Sequence, residues 1–352
     1  MITRKTTKQI SVGSVKIGGD APVSIQSMTN TDTRDVEATT AQIHRLEEAG
    51  CEIVRLAVVD EEAARAFRPI KDKIKIPMIA DIHFDHKLAI LAMENGADAI
   101  RINPGNIGSK DKVKAVVDAA KAHKCSMRIG VNAGSLEKDL LKKYGICANS
   151  LVLSAKNHIN HIESLGFSDI KISLKASSVP LTYQAYQLFS QSSDYPLHIG
   201  VTEAGTFFAG TVKSAAGIGA LLLSGIGDTL RVSLTGDPVE EVRVGWQLLN
   251  ALEIRRRGPE IISCPTCGRT EIDMVSLAEK VESLSSGFQS TISIAVMGCP
   301  VNGPGEAKHA DYGIAGGRGQ GIIFKKGQVV KKVKENELIG EFFDLLKNDG
   351  VK

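Results

Sequence analysis

The chain has 352 residues, 43% of them hydrophobic and 24% charged, the composition of an ordinary globular protein rather than a disordered one. A formal net charge of +3 gives no general attraction to nucleic acid or membrane surfaces, so any anion binding must come from a local concentration of cations. No run approaches the ~18 apolar residues of a membrane span, and the N-terminal "MITRKTTKQISVGSVKIGGD" lacks the apolar stretch of a secretory signal.

In chain order, the glycines of "SVGSVKIGG" stand before the first strand–helix unit, which makes them a poor dinucleotide-binding fingerprint. From residue 20 to 252 one theme repeats: a short β-branched run, a loop, then a helical stretch. The runs are "PVSIQSM", "EIVRLAV", "PMIADIHF", "AIRINPGN", "MRIGVNAG", "DIKISLKAS", "LHIGVTEAG" and "TLRVSLTGD", with helical segments such as "DVEATTAQIHRLEEAG" and "PVEEVRVGWQLLNALE" between them. Eight strands alternating with helices predict a (β/α)8 barrel over 1–254; an open doubly wound sheet usually uses fewer strands. The charged, Gly-Pro-punctuated "EIRRRGPE" then marks a linker at 255–259. A small α+β domain is expected over 260–352: a strand into Cys264, a helix near 273–286, a strand "TISIAVMG" into Cys299, a glycine-rich turn region, a hairpin across "FKKGQVV" and a terminal helix.

Residues two apart on a strand share a face. That rule aligns Arg101 with Asn103, Arg128 with Asn132 around Gly130, Arg231 with Ser233, Lys171 with Ser173 and Lys175, and Asp81 with His83, while Arg55 stands alone in "IVRLAV". In a barrel the apolar face meets the helices, so these polar faces look inward toward the C-terminal mouth. Buried cations are costly without negative partners, and the two carboxylates expected there, Asp81 and Glu203, cannot offset five or six of them. The pattern predicts a cup for a small, multiply anionic ligand such as a diphosphate, with arginine forks on phosphoryl oxygens and Asn and Ser completing the hydrogen bonds. Glu203, at the end of the seventh run, reads equally as a proton donor or base and as charge balance. His83 is similarly ambiguous.

Six cysteines scattered over this chain suit a reducing cytoplasm better than a disulfide framework. Cys51, Cys125 and Cys147 read as bystanders. Cys264 and Cys267 in "SCPTCGRT" and Cys299 in "GCPVNGPGEAKH" form a C-x2-C plus one, a thiol short of a closed four-coordinate site. Three centres fit that count: zinc completed by His309, a redox dithiol that leaves Cys299 over, or an iron–sulfur cluster with one unusual ligand. Glycines 298, 303 and 305 would let backbone N–H groups approach cluster sulfides.

Taken together, "VSIQSMTNTDT", "IRINPGNIG", "RIGVNAGSL", "GVTEAG", "LRVSLTGDP", "SCPTCGRT" and "GCPVNGPGEA" make the chain resemble, end to end, the bacterial 4-hydroxy-3-methylbut-2-enyl diphosphate synthase family of non-mevalonate isoprenoid synthesis. The resemblance implies a [4Fe–4S] cluster held by Cys264, Cys267, Cys299 and Glu306, the carboxylate being the harder, exchangeable ligand. It implies 2-C-methyl-D-erythritol 2,4-cyclodiphosphate as substrate, bound through Arg55, Arg101, Asn103, Arg128, Asn132, Lys175, Arg231 and Ser233, with Glu203 as proton donor. Electrons would come from flavodoxin or ferredoxin. Connectivity adds an expectation about assembly. The helix after the eighth strand descends to the barrel floor, and a short linker leaves from there. A head-to-tail homodimer, each small domain capping the partner's barrel, is therefore expected; the family suggests the same.

Overall fold

The repeated run–loop–helix pattern becomes, in the computed structural model of the chain, eight parallel strands with helices between them. The structure describes residues 2–268, 270–299 and 309–351. Glu306, Gly303 and Gly305 lie outside the described residues. The chain divides into two compact units, Met1–Arg255 and Arg256–Lys352.

In the first unit the barrel strands are β3 (Ser24–Met28), β4 (Ile53–Ala57), β5 (Met78–Asp81), β6 (Ala99–Ile102), β7 (Ser126–Asn132), β8 (Ile170–Lys175), β9 (His198–Ile199) and β10 (Thr229–Leu230). They are hydrogen-bonded in the order β8-β7-β6-β5-β4-β3-β10-β9. A parallel bridge between Ile172 and Leu197 joins β8 to β9 and closes the ring, with Ile172 N–H donating to Pro196 O at 2.9 Å. Followed once around, the paired registers return to β3 displaced by about eight residues, the shear of a (β/α)8 barrel. Outward residues such as Ile100, Ile102, Ile129 and Ile172 pack into one apolar core with Ile43, Leu46 and Val116 from the helices. Several strand-to-helix loops end in a capping acid: Asp35 accepts from Ala38 N at 3.0 Å, Asp60 from Ala63 N at 2.9 Å and Asp237 from Val239 N at 3.1 Å.

The glycine-rich N-terminal stretch is an antiparallel hairpin, β1 (Ile10–Val12) and β2 (Val15–Ile17), turned through Gly13 and Ser14. Gly13 sits at φ +54°, and a Cβ there would lie 2.8 Å from Asp98 Oδ1 and 2.9 Å from Pro77 Cβ. Ile10, Val12 and Ile17 pack on Ile53, Ile79 and Ala99, the inward residues near the N-terminal ends of β4 to β6. The hairpin is thus a plug for the barrel floor.

The second unit carries a five-stranded sheet in sequence order: β11 (Glu260–Ser263), β12 (Ser293–Met297), β13 (Tyr312–Gly317), β14 (Gln320–Lys325) and β15 (Gln328–Lys334). The first three strands are parallel and the last two antiparallel additions. Helices Met274–Ser285 and Leu338–Asn348 contribute Met274, Leu277, Val281, Phe342 and Leu346 to one core with Ile294, Val296, Ile314 and Ile323 of the sheet. No helix among the described residues is long and apolar enough to cross a membrane.

Candidate active site

Strand register sorts the inward side chains of the barrel into layers drawn from alternate strands. Arg101, Arg128 and Lys171 are direct lateral partners on β6, β7 and β8, and Asp81 on β5 completes the row. Arg55 on β4 and Arg231, just past β10, share the level of Arg101. Lys175, at the end of β8 beside Asn132, stands nearer the mouth. Arg55, Arg101, Arg128, Lys171, Lys175 and Asn103 are all buried, and Arg231 is half-buried. The structure therefore brings the predicted cations together on one inward surface.

Two glycines make room for them. A Cβ on Gly130 would lie 2.8 Å from Arg101 Nε, and one on Gly200 would meet Lys175 Nζ at 2.7 Å and Arg231 O at 2.5 Å. With its amide oxygen turned to the guanidinium, Asn132 accepts from Arg101 Nη2 at 3.2 Å. The Met28 sulfur lies 3.0 Å from Arg55 Nη2 and 3.9 Å from Arg231 Nη1. Ser233 is half-buried two residues beyond Arg231.

Among the described residues two buried acids face these cations, and Asp81 is one of them. Its carboxylate lies 3.2 Å from Arg101 Nη1, 3.7 Å from Arg55 Nε and 3.5 Å from His83 Nε2. Burial alone would raise its pKa, but Arg55, His83, Arg101 and Arg128 outweigh that and hold it well below the usual carboxylate range. Arg55 is lowered to about 10 by burial, partly offset by Asp81, and so stays charged at neutral pH.

The second acid is Glu241, not Glu203. Glu241 is 3% exposed on the helix Pro238–Ala251 and forks Arg231, Oε2 accepting from Nε and Oε1 from Nη2, both at 3.0 Å. It also accepts from Ser27 Oγ at 2.9 Å and Leu234 N–H at 3.1 Å. Sequence reading passed over it because, in a helix next to Glu240, it looks like first-turn acidity. Glu203 does not serve as charge balance among the buried cations. It is exposed beyond β9, and its backbone lies in the left-handed region at φ +52°, uncommon for a residue other than glycine. Its carbonyl accepts from Lys213 Nζ at 3.3 Å.

In the second unit, Cys264 and Cys299 follow the C-terminal ends of the adjacent parallel strands β11 and β12. Gly298 N–H donates to Cys264 Sγ at 3.3 Å. Cys267 is exposed in a turn, where its N–H donates to Thr270 Oγ1 at 3.1 Å and its carbonyl accepts from Thr270 N–H at 2.9 Å. Among the described residues no group of three His, Cys, Asp or Glu side chains could hold a metal ion, and Glu306 is not among those residues. Cys51 and Cys125 are buried, and burial pushes both thiols up to about 12, which leaves them unreactive.

Comparison with known proteins gives the following likenesses. Residues 7–246 match the GcpE TIM-barrel domain and residues 260–348 the GcpE protein C-terminal domain. A Desulfotalea psychrophila protein named 4-hydroxy-3-methylbut-2-en-1-yl diphosphate synthase (flavodoxin) is 60% identical over 97% of this chain and 95% of its own length. A Caldanaerobacter subterraneus protein of the same name is also 60% identical, over 96% of each chain. The dihydropteroate synthase of Stenotrophomonas maltophilia covers 70% of this chain and 98% of its own, with a TM-score of 0.52 and 16% identity, a likeness of fold alone.

Proposed function

The chain belongs to the GcpE family, and from that premise we propose that it opens 2-C-methyl-D-erythritol 2,4-cyclodiphosphate reductively to (E)-4-hydroxy-3-methylbut-2-enyl diphosphate, releasing water, in non-mevalonate isoprenoid synthesis in the cytoplasm. One observation carries this reading: a barrel interior in which Arg55, Arg101, Arg128, Lys171, Lys175 and Arg231 face only Asp81 and Glu241 as buried acids among the described residues. Such a surface needs a multiply charged anion. Arg55, Arg101, Arg128, Lys175 and Arg231 take the phosphoryl oxygens, and Asn103, Asn132 and Ser233 complete the hydrogen bonding. Glu203 holds the proton given to the substrate; its left-handed backbone is the strain expected of a residue aimed for chemistry.

A [4Fe–4S] cluster, when bound by Cys264, Cys267, Cys299 and Glu306, supplies the two electrons that flavodoxin or ferredoxin delivers. The Gly298 N–H on the Cys264 sulfur fits a thiolate ligand, because such hydrogen bonds tune a cluster's potential. The donor set fits iron–sulfur chemistry better than a redox dithiol, which would leave Cys299 without a part.

Features of the barrel unit support a head-to-tail homodimer. Arg255 is anchored at the floor, donating to Val23 O at 2.7 Å and to Glu52 at 2.8 and 3.0 Å, and stacks 4.7 Å above Trp246. Residues 256–259 then reach ~14 Å at most before β11 begins. At the other end Val59 and Phe84 are exposed on loops that follow β4 and β5, and Phe207 and Phe208 are exposed at the start of the helix Phe207–Leu223 that follows β9, an apolar rim suited to a partner's cap.

Anoxic purification followed by iron, acid-labile sulfide and turnover measurements tests this function. Cluster-loaded protein is expected to convert the cyclic diphosphate with reduced flavodoxin. Stoichiometric zinc without sulfide, or a full cluster with no turnover, would overturn it.

A further inference from the structure

Half of the barrel floor is polar where barrels of this class pack branched apolar side chains. On β4, β5 and β6 the low inward positions are Ile53, Ile79 and Ala99, sealed by the hairpin. On the other side they are Gln26, Ser126, Arg128, Lys171, His198 and Thr229, all buried. The Gln26 amide, Arg128 Nε and Nη1, Lys171 Nζ and both His198 ring nitrogens have no hydrogen-bond partner among the described residues.

Lys171 is wholly buried. The charged and titratable groups on the elements around it are Arg55 from β4, Asp81 from β5, Arg101 from β6, Arg128 from β7, His198 from β9, Arg231 beyond β10, Lys175 on its own strand and Tyr186 on the helix Val179–Ser190. Asp81 is already engaged by Arg55, Arg101 and His83, and Glu241 by Arg231. A second ammonium in that company has no counter-ion of its own. Burial, then Arg128 and Arg55, accordingly push Lys171 well below the usual lysine range, and the same forces act on Lys175.

We propose that seating a diphosphate in the cup draws a proton onto Lys171, so that anion binding and proton uptake are coupled. The inference rests on the cup being the diphosphate site. The anion brings two or more negative charges above the floor, and they favour the ammonium by the same Coulomb interaction through which the guanidinium groups disfavour it. Binding that takes up a proton weakens as pH rises, so the affinity of the cup falls toward alkaline pH as Lys171 ceases to be protonated in the complex. Lys171 is a positioning residue here: it sits below the ligand and sets the charge of the layer on which the arginines rest.

Calorimetric titration of the full chain with inorganic pyrophosphate, at one pH in buffers of different ionisation enthalpy, counts the protons. The wild type is expected to take up about one proton more than Lys171→Met, with pyrophosphate still binding to both. Lys171→Arg, permanently charged, is expected to show the same loss while binding at least as tightly as the methionine variant, and it decides alone if the methionine variant does not fold. An identical proton count in the wild type and the variants, with pyrophosphate bound, would overturn the proposal and leave the cup standing. A folded wild type that does not bind pyrophosphate at all would remove the cup, and this inference with it.

Discussion

Glu241 shows how much of the site is set by a side chain that meets no substrate in the proposed arrangement. Its two oxygens hold Nε and Nη2 of Arg231, which leaves Nη1 to face the cup. A fixed fork matters to a reaction that requires one orientation, whereas simple anion binding reads net charge. Glu241→Gln is therefore expected to lower kcat/KM for the cyclic diphosphate by ~10-fold or more, about 1.4 kcal/mol of transition-state stabilisation, without weakening pyrophosphate binding. An unchanged kcat/KM would show that Arg231 needs no such hold. The two cup glycines give a paired prediction. At Gly130 an added methyl meets a guanidinium that can swing, so Gly130→Ala is expected to keep the fold but raise KM by displacing Arg101. At Gly200 the methyl meets backbone, Arg231 O at 2.5 Å, and Gly200→Ala is expected to cost about 1–3 kcal/mol of stability in a denaturant titration. Equal melting temperatures for the two variants would contradict that distinction.

Among the elements, the floor hairpin has a separable purpose. Val12 and Ile17 are fully buried against the barrel's lowest apolar layer, on the side away from the cations. Ile17→Ala is expected to cost about 3 kcal/mol through the cavity it leaves. For a unit of this size that lowers the melting temperature by roughly 6–10 °C. Pyrophosphate affinity of the remaining folded protein should not change; a parallel loss of affinity would mean that the floor shapes the cup. This hairpin was readable in part, since "SVGSV" places Gly-Ser between short β-branched runs, a two-residue turn signal. Three-residue strands give too few alternations to stand out, and the glycines drew attention as a failed nucleotide motif instead. The eight barrel runs were legible for the opposite reason: each is flanked by loop and helix, and their polar positions keep period two. Even so β9 and β10 hold only two ladder residues each, because closure there rests on single bridges and loop hydrogen bonds. The cations could be assigned to the interior by parity alone. Asp81 could be assigned there in the same way, but the second acid could not, because Glu241 reaches Arg231 from a helix, a juxtaposition fixed by packing rather than by spacing. Lys171 was legible as an inward residue, but its lack of partners, like that of His198, exists only in three dimensions.

At the scale of the molecule, the proposed chemistry is divided between two compact units, Met1–Arg255 and Arg256–Lys352. The cations open toward the C-terminal ends of the strands, while Arg255 is fastened beside Val23 and Glu52, just ahead of β3 and β4 at the other end. If each cysteine unit serves the partner's barrel, a dead barrel and a dead cluster unit on different chains can complement each other. Mixing Cys299→Ser with Arg128→Ala chains at equal amounts makes half of the dimers mixed, and each mixed dimer then holds one intact pair of barrel and cluster unit and one pair defective in both. Activity is expected to recover to about a quarter of the wild-type value after exchange of subunits, from two preparations that are each inactive alone. Doubling the cysteine variant over the arginine variant should lower the recovered fraction per chain, as random pairing requires. If the mixture stays as inactive as its parents while size measurements confirm that mixed dimers have formed, each barrel works with its own cysteine unit.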